Sequence, residues 1–221
     1  MDVSSAARPS ATSKVAAVTS ASWITKLCAA PGGKGRSRFW LRAAAAVALL
    51  ASVPAGYRAC LYLAGNFHVV AEGEVYRAAQ PTPERLADWA AAYHLKSVLN
   101  LRGHRPGKDW YDAEATAAKQ LGVTLIDYPL SADIVPTAAQ VADLIDILAK
   151  APKPLLIHCK EGADRAGFVS AVYLAAIAGA EEDTAEAQLS FRFGHVSLPF
   201  IPSYAMDEGW EAAGPALGFA D

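Results

Sequence analysis

From Phe67 onward, short apolar runs of strand length alternate with longer stretches of helical spacing. Phe67-His68-Val69-Val70 and Val75-Tyr76 flank a turn at Glu72-Gly73 and predict paired strands. Lys96–Leu101, Val123–Tyr128 and Leu155–His158 are further runs of strand length. The intervening segments carry helix signals. Thr82 is placed to cap a helix with Pro83 in its first turn, running to about Tyr93. Asp109 to Leu121 is a second helix, which Gly122 is suited to stop. Thr137 and Gln140 form a capping-box pattern, and the spacing of Val141, Leu144, Ile145 and Leu148 carries that helix to about Lys150. Two more helices are expected, over about Ala166–Ile177 and Thr184–Phe193. Such alternation predicts an α/β fold with a central, mainly parallel sheet flanked by helices. The last segment, Ser197–Asp221, gives no functional signal.

The pattern before Phe67 is different. Residues 1–38 are rich in Ala, Ser, Gly and Lys/Arg without periodicity, and read as a disordered basic segment. Arg36, Arg38 and Arg42 then precede an apolar run from Ala43 to Tyr57. This run is short of the ~20 residues that a spanning helix needs. If Arg58 snorkels toward the headgroups, Phe39 to Leu63 would span. Three parts follow: residues 1–38, a transmembrane anchor or signal sequence over 39–65, and a folded domain over 66–221. The basic flank puts the N-terminus on the cytoplasmic side and the folded domain beyond the membrane. A signal cleaved near Val53-Pro54-Ala55, releasing a secreted or periplasmic domain, is the alternative. A hydrophobic helix packed on the domain is the third reading.

Charge divides the chain at the same place. Residues 1–65 hold eight Lys/Arg and one acid, a net of +7; residues 66–221 hold twelve and twenty-one, a net of −9. So acidic a domain is not built to bind nucleic acid. Three cysteines, Cys28, Cys60 and Cys159, imply no disulfide framework.

One of them carries the candidate chemistry. In His158-Cys159-Lys160-Glu161-Gly162-Ala163-Asp164-Arg165, a cysteine sits at a strand end, in a tight loop before a helix. The thiolate is the reactive form of cysteine. A helix N-terminus with a nearby cation brings a thiol from about 8.5 to roughly 3.5–7.5. Backbone N–H groups of a curled loop make an anion nest, and the helix dipole adds to it. Arg165 can grip two phosphate oxygens with its planar fork. Gly162 permits backbone angles closed to other residues.

These residues resemble the signature of the cysteine-dependent protein tyrosine phosphatase superfamily: His-Cys, five residues, then Arg. Tyr76-Arg77-Ala78-Ala79-Gln80-Pro81 resembles a stretch found in bacterial and fungal members of the dual-specificity-like group, with Ala78 in place of Ser. The resemblance covers Phe67 to His195. It implies a phosphatase domain over 66–221 that uses neither metal nor cofactor. Cys159 would be the nucleophile, Arg165 would bind the phosphoryl oxygens, and His158, Lys160, Glu161, Gly162, Ala163 and Asp164 would complete the phosphate-binding loop. The family's general acid is an Asp on a loop upstream, and Asp133 is the candidate. Asp127 and Asp164 are its rivals; Asp164 is favoured by a similarity of Gly-x-Asp-Arg to myotubularin-like lipid phosphatases. Arg77, Arg102 and Gln80 would add charge at the pocket rim or pair on the surface. Ala166 departs from the family, which has Ser or Thr there to assist breakdown of the phosphocysteine.

The leading function is hydrolysis of a phosphomonoester, on phosphotyrosine, phosphoserine or phosphothreonine protein. The alternatives are a phosphoinositide or inositol phosphate phosphatase, favoured by Lys160, and a low-turnover binding module, favoured by Ala166. A sulfurtransferase carrying a persulfide on Cys159 fits the loop less well.

Overall fold

The computed structural model describes residues 34–219. The expected disordered segment therefore lies mostly outside the described residues, as does Cys28. Five strands form one sheet: β1 (His68–Ala71), β2 (Val75–Ala78), β3 (Ser97–Asn100), β4 (Thr124–Asp127) and β5 (Leu155–His158). Their order is β1-β2-β5-β3-β4. β1 and β2 are an antiparallel pair, and every other pairing is parallel. The α/β expectation is met. β5 lies between β2 and β3, with His158 in register with Ala78 and Asn100. Its carboxyl end, where the reactive loop begins, is thus at the middle of the sheet, where such sheets bind ligands.

The helices match the pattern closely over the centre of the chain. α2 (Pro83–Tyr93) has Thr82 accepting from the Arg85 N–H, and α3 (Asp109–Leu121) ends on left-handed Gly122. α4 (Ala138–Lys150) carries the full Thr137–Gln140 capping box. α5 (Asp164–Ala176) begins two residues earlier than the apolar pattern suggested, so Asp164 and Arg165 lie in its first turn.

Alternating strand residues divide the core. Leu99, Leu155 and Ile157 pack with Val141, Leu144 and Leu148 of α4 and with Phe168, Val169 and Val172 of α5. Val98 and Leu156 pack on the other side with Leu86 of α2 and Ala117 and Ala118 of α3. From Ala166 to Leu174, α5 is buried without interruption, a core helix rather than a surface one.

One expectation near the C-terminus is corrected. The helix expected over Thr184–Phe193 is only α6 (Glu182–Glu186), followed by a 3-10 turn at Phe191–Phe193. Arg77 takes the Gln188 carbonyl at 2.7 Å, an acceptor that a continuing helix would have used. The uninformative tail holds α7 (Ala205–Leu217), which puts Met206, Trp210 and Ala213 into the core.

The membrane span expected over residues 39–65 finds no support among the described residues. α1 (Lys34–Leu63) is a helix, but no helix among the described residues is long and apolar enough to cross a membrane. Eight alanines dilute its apolar positions, and Arg42, Ser52, Pro54 and Arg58 interrupt them. Contacts divide the chain into two units after Leu50, so the last turns of α1 belong with the folded domain. There Tyr57 stacks on Phe191 at 5.1 Å and donates to the Arg192 carbonyl at 2.8 Å. Arg58 does not snorkel: it pairs with Glu161 at 2.9 Å.

Candidate active site

The loop between β5 and α5 curls so that the Gly162 N–H donates to Cys159 Sγ at 3.2 Å. Gly162 has φ +73°, and a Cβ there would lie 2.5 Å from the backbone of Ala78 and Ala79. Both the turn and the close approach to β2 therefore require glycine. Cys159, Lys160, Glu161, Asp164 and Arg165 line one cavity of about 380 Å³. Asp133, on the loop after β4, lines it too, so the structure brings the candidate nucleophile, arginine and candidate acid together. His158, Gly162 and Ala163 are buried and do not line it. Arg165 is steadied by the Leu130 carbonyl at 3.2 Å and the Leu101 carbonyl at 3.4 Å.

What supports the loop is largely what the sequence did not disclose. Arg77 is wholly buried rather than at the rim. Its Nη2 donates to the carbonyls of Gly162 and Ala163, each at 2.8 Å, and its guanidinium lies 4.2 Å from the Phe193 ring centre. Carbonyls drawn toward Arg77 are carbonyls not presented to an anion. Burial lowers the Arg77 pKa to about 9, against the upward pull of the Cys159 thiolate and Asp164.

On the other side, His158 Nε2 lies 2.7 Å from Glu114 Oε1 in a fully buried pair, close enough for charge pairing although not aligned as a hydrogen bond. Glu114 accepts from Gln80 at 2.8 Å, and Gln80 accepts from Arg102 at 2.7 Å. Arg102 stacks 3.4 Å over Trp110, and burial and the charge of Arg165 lower its pKa. Arg102 and Gln80 thus form a chain leading to His158, rather than isolated rim charges. Glu114 was missed because its partner is far away in sequence and α3 gives no sign of a buried acid.

Asp164 is held from behind. His195 is buried with Nδ1 2.7 Å from Asp164 and Nε2 2.8 Å from Asp207. Each ring nitrogen faces a carboxylate oxygen, an arrangement that favours the imidazolium. Burial opposes the charge, but the bond to Asp164 and the charge of Asp207 outweigh it and raise the pKa. Asp127, the other rival acid, accepts from Tyr111 at 2.5 Å and Asn100 at 2.8 Å. It does not line the cavity. Asp133 is exposed and its side chain has no such ties. Cys60 and Cys159 are both free thiols, and Cys60 is exposed. Among the described residues no cluster of His, Cys, Asp and Glu is arranged to hold a metal ion.

Residues 64–197 match the family model described as DSP-PTPase phosphatase fused to NAD+ kinase. No curated protein matches the chain. Solved structures share the fold. One is Pseudomonas aeruginosa TpbA, with TM-score 0.56 and 22% identity, covering 70% of this chain and 89% of its own. Another is the catalytic domain of the PP-IP phosphatase SIW14 from Saccharomyces cerevisiae, with TM-score 0.51 and 20% identity, covering 68% and 92%. PTPMT1 in complex with PI(5)P gives TM-score 0.51 and 16% identity, covering 68% and 97%.

Proposed function

We propose, because the chain belongs to the DSP-PTPase phosphatase family whose model it matches, that its cavity hydrolyses phosphomonoesters through a phosphocysteine at Cys159. The chain is a cysteine-dependent phosphatase. Cys159 Sγ attacks phosphorus in line as the ester oxygen departs. Arg165 and the loop N–H groups take the charge on the equatorial oxygens. Asp133 donates a proton to the leaving oxygen and then accepts one from the attacking water. Water breaks the S–P bond, releasing phosphate and the thiolate. Ala166 contributes no hydroxyl to that second step, which supports slow breakdown of the intermediate.

The observation that carries this reading is the convergence of Cys159, Arg165 and Asp133 on one cavity. The direct test is an aryl phosphate with full-length protein. Hydrolysis that is unaffected by chelator and lost in Cys159→Ser is expected. Equal hydrolysis by the Ser variant would contradict it.

For the substrate, phosphotyrosine-type phosphoprotein is the first reading: TpbA has a solved complex with phosphotyrosine in this fold. The second is an inositol phosphate or phosphoinositide. SIW14 is a PP-IP phosphatase and PTPMT1 has a solved complex with PI(5)P, which support it, and so do the Lys160 and Arg58 side chains on the cavity wall. Placement of the catalytic domain beyond a membrane rests on the basic-then-apolar order of residues 36–63. Fractionation of C-terminally tagged protein tests it, and recovery of full-length protein in the cytosol would contradict it.

A further inference from the structure

Arg58 belongs to none of the sequence features that identify the domain. It lies outside residues 64–197, the part that matches the family, yet it lines the same cavity as Cys159. The end of α1 is fixed in place. Tyr57 is bonded to Arg192 and stacked on Phe191, Leu61 lies beside Gly194, and the Leu63 carbonyl accepts from Arg85. The Arg58 backbone is thereby held at the cavity edge while its side chain is only partly covered, 30% exposed against 41% for its partner Glu161. An ion pair this open to water contributes little to stability, so the guanidinium can be given up to a better partner. A phosphate offers that, because it accepts two parallel bonds from the arginine fork. Lys160 lines the same cavity and adds a second cation.

We propose that Arg58 is a specificity-determining residue that leaves Glu161 to bind a second phosphate on the substrate, next to the one Cys159 attacks. This rests on the reading of the cavity as a phosphatase site. The ligand class is a small polyol bearing neighbouring phosphates. Glu161 holds Arg58 in place when no second phosphate is present and competes with that phosphate for it.

The test uses full-length protein and three probes: an aryl phosphate, an inositol bisphosphate with vicinal phosphates, and an acidic phosphotyrosine peptide. The readout is the ratio of kcat/KM for the bisphosphate to that for the aryl phosphate. Arg58→Ala is expected to lower this ratio about tenfold, as loss of a hydrogen bond between charged groups does, mainly through KM. Arg58→Lys should recover part of it. Glu161→Gln, which frees Arg58, should raise it. If Arg58 only propped the loop, Arg58→Ala and Glu161→Gln would both lower activity on all probes alike, and the proposal would be overturned. A fall confined to the acidic peptide would overturn it as well, by placing the second anion on a protein. Absence of Cys159-dependent hydrolysis of any probe would instead overturn the phosphatase reading itself.

Discussion

The reactive loop and the loop carrying Asp133 line one cavity, and they are held in opposite ways. From Cys159 to Arg165, the chain is tied by Arg77 beneath two of its carbonyls, by the His158–Glu114 contact, and by the Asp164–His195–Asp207 chain. Around Asp133 the chain is exposed from Asp133 to Val135, and a Ser131 hydroxyl accepting the Asp133 N–H is the local tie. The difference follows the chemistry. A nucleophile and its anion nest work only in a fixed geometry, so their cost in buried polar groups is met by partners. A general acid has to reach leaving groups of different sizes, which suits a loop with few anchors.

Removing Arg77 would break the contrast most severely. Arg77→Ala leaves the Gly162, Ala163 and Gln188 carbonyls without their donor. It should destabilise the domain by about 3 kcal/mol or more, measured by denaturant midpoint. Aryl phosphate turnover should fall with it, by roughly a hundredfold as the loop loses its geometry. An unchanged midpoint with full turnover would show that the loop is not held from below.

Asp133→Asn probes the open side. It should lower kcat on an alkyl phosphate by about a hundredfold, and by less on a nitrophenyl ester whose leaving group needs no proton. Its unfolding midpoint should match that of the unsubstituted protein. Full turnover of the alkyl ester would transfer the acid role elsewhere, with Asp164→Asn the next variant to measure.

Glu114→Gln sharpens the account of the loop's other support. It keeps the shape and removes the charge facing His158, so a loss of about 1–3 kcal/mol in stability is expected. Calorimetry checks it, and no loss would mean that the pair matters only as packing.

The smallest effect concerns pH. The His195 pKa is raised in the folded state above its ordinary 6.5. The stabilisation it gives is therefore complete below about pH 6.5 and lost as pH rises through the folded value. Tm should fall over that range, and less steeply in Asp207→Asn, which removes one of the two carboxylates. Parallel slopes for the two proteins would refute the role of this chain.

Legibility in the sequence follows the same division. Everything local was readable. Thr137 and Gln140 cap the helix they announce, Gly122 ends α3, and β5 feeds the cysteine into a helix N-terminus. The supports were not, because each joins residues far apart. Nothing near Arg77 shows that it would lie under a loop some eighty residues on. Nothing near His195 shows that it would bridge Asp164 and Asp207. Capture of the Gln188 carbonyl by Arg77 also ended α6 where local pattern favoured helix. In α7 the signal existed: Met206, Trp210, Ala213 and Leu217 repeat at helical spacing. The apolar run before the domain is a different case. Its many alanines lower the hydropathy below that of a span, and the helix that follows from it carries Arg58 to the cavity.

Acid-quenched protein from a single turnover of aryl phosphate, digested and examined by mass spectrometry, tests the central claim most directly. The account predicts one phosphoryl group on the peptide containing Cys159, more persistent in the natural protein than in Ala166→Ser and absent from Cys159→Ser. A burst of product with no phosphoryl group on that peptide, or with one on another residue, would contradict it.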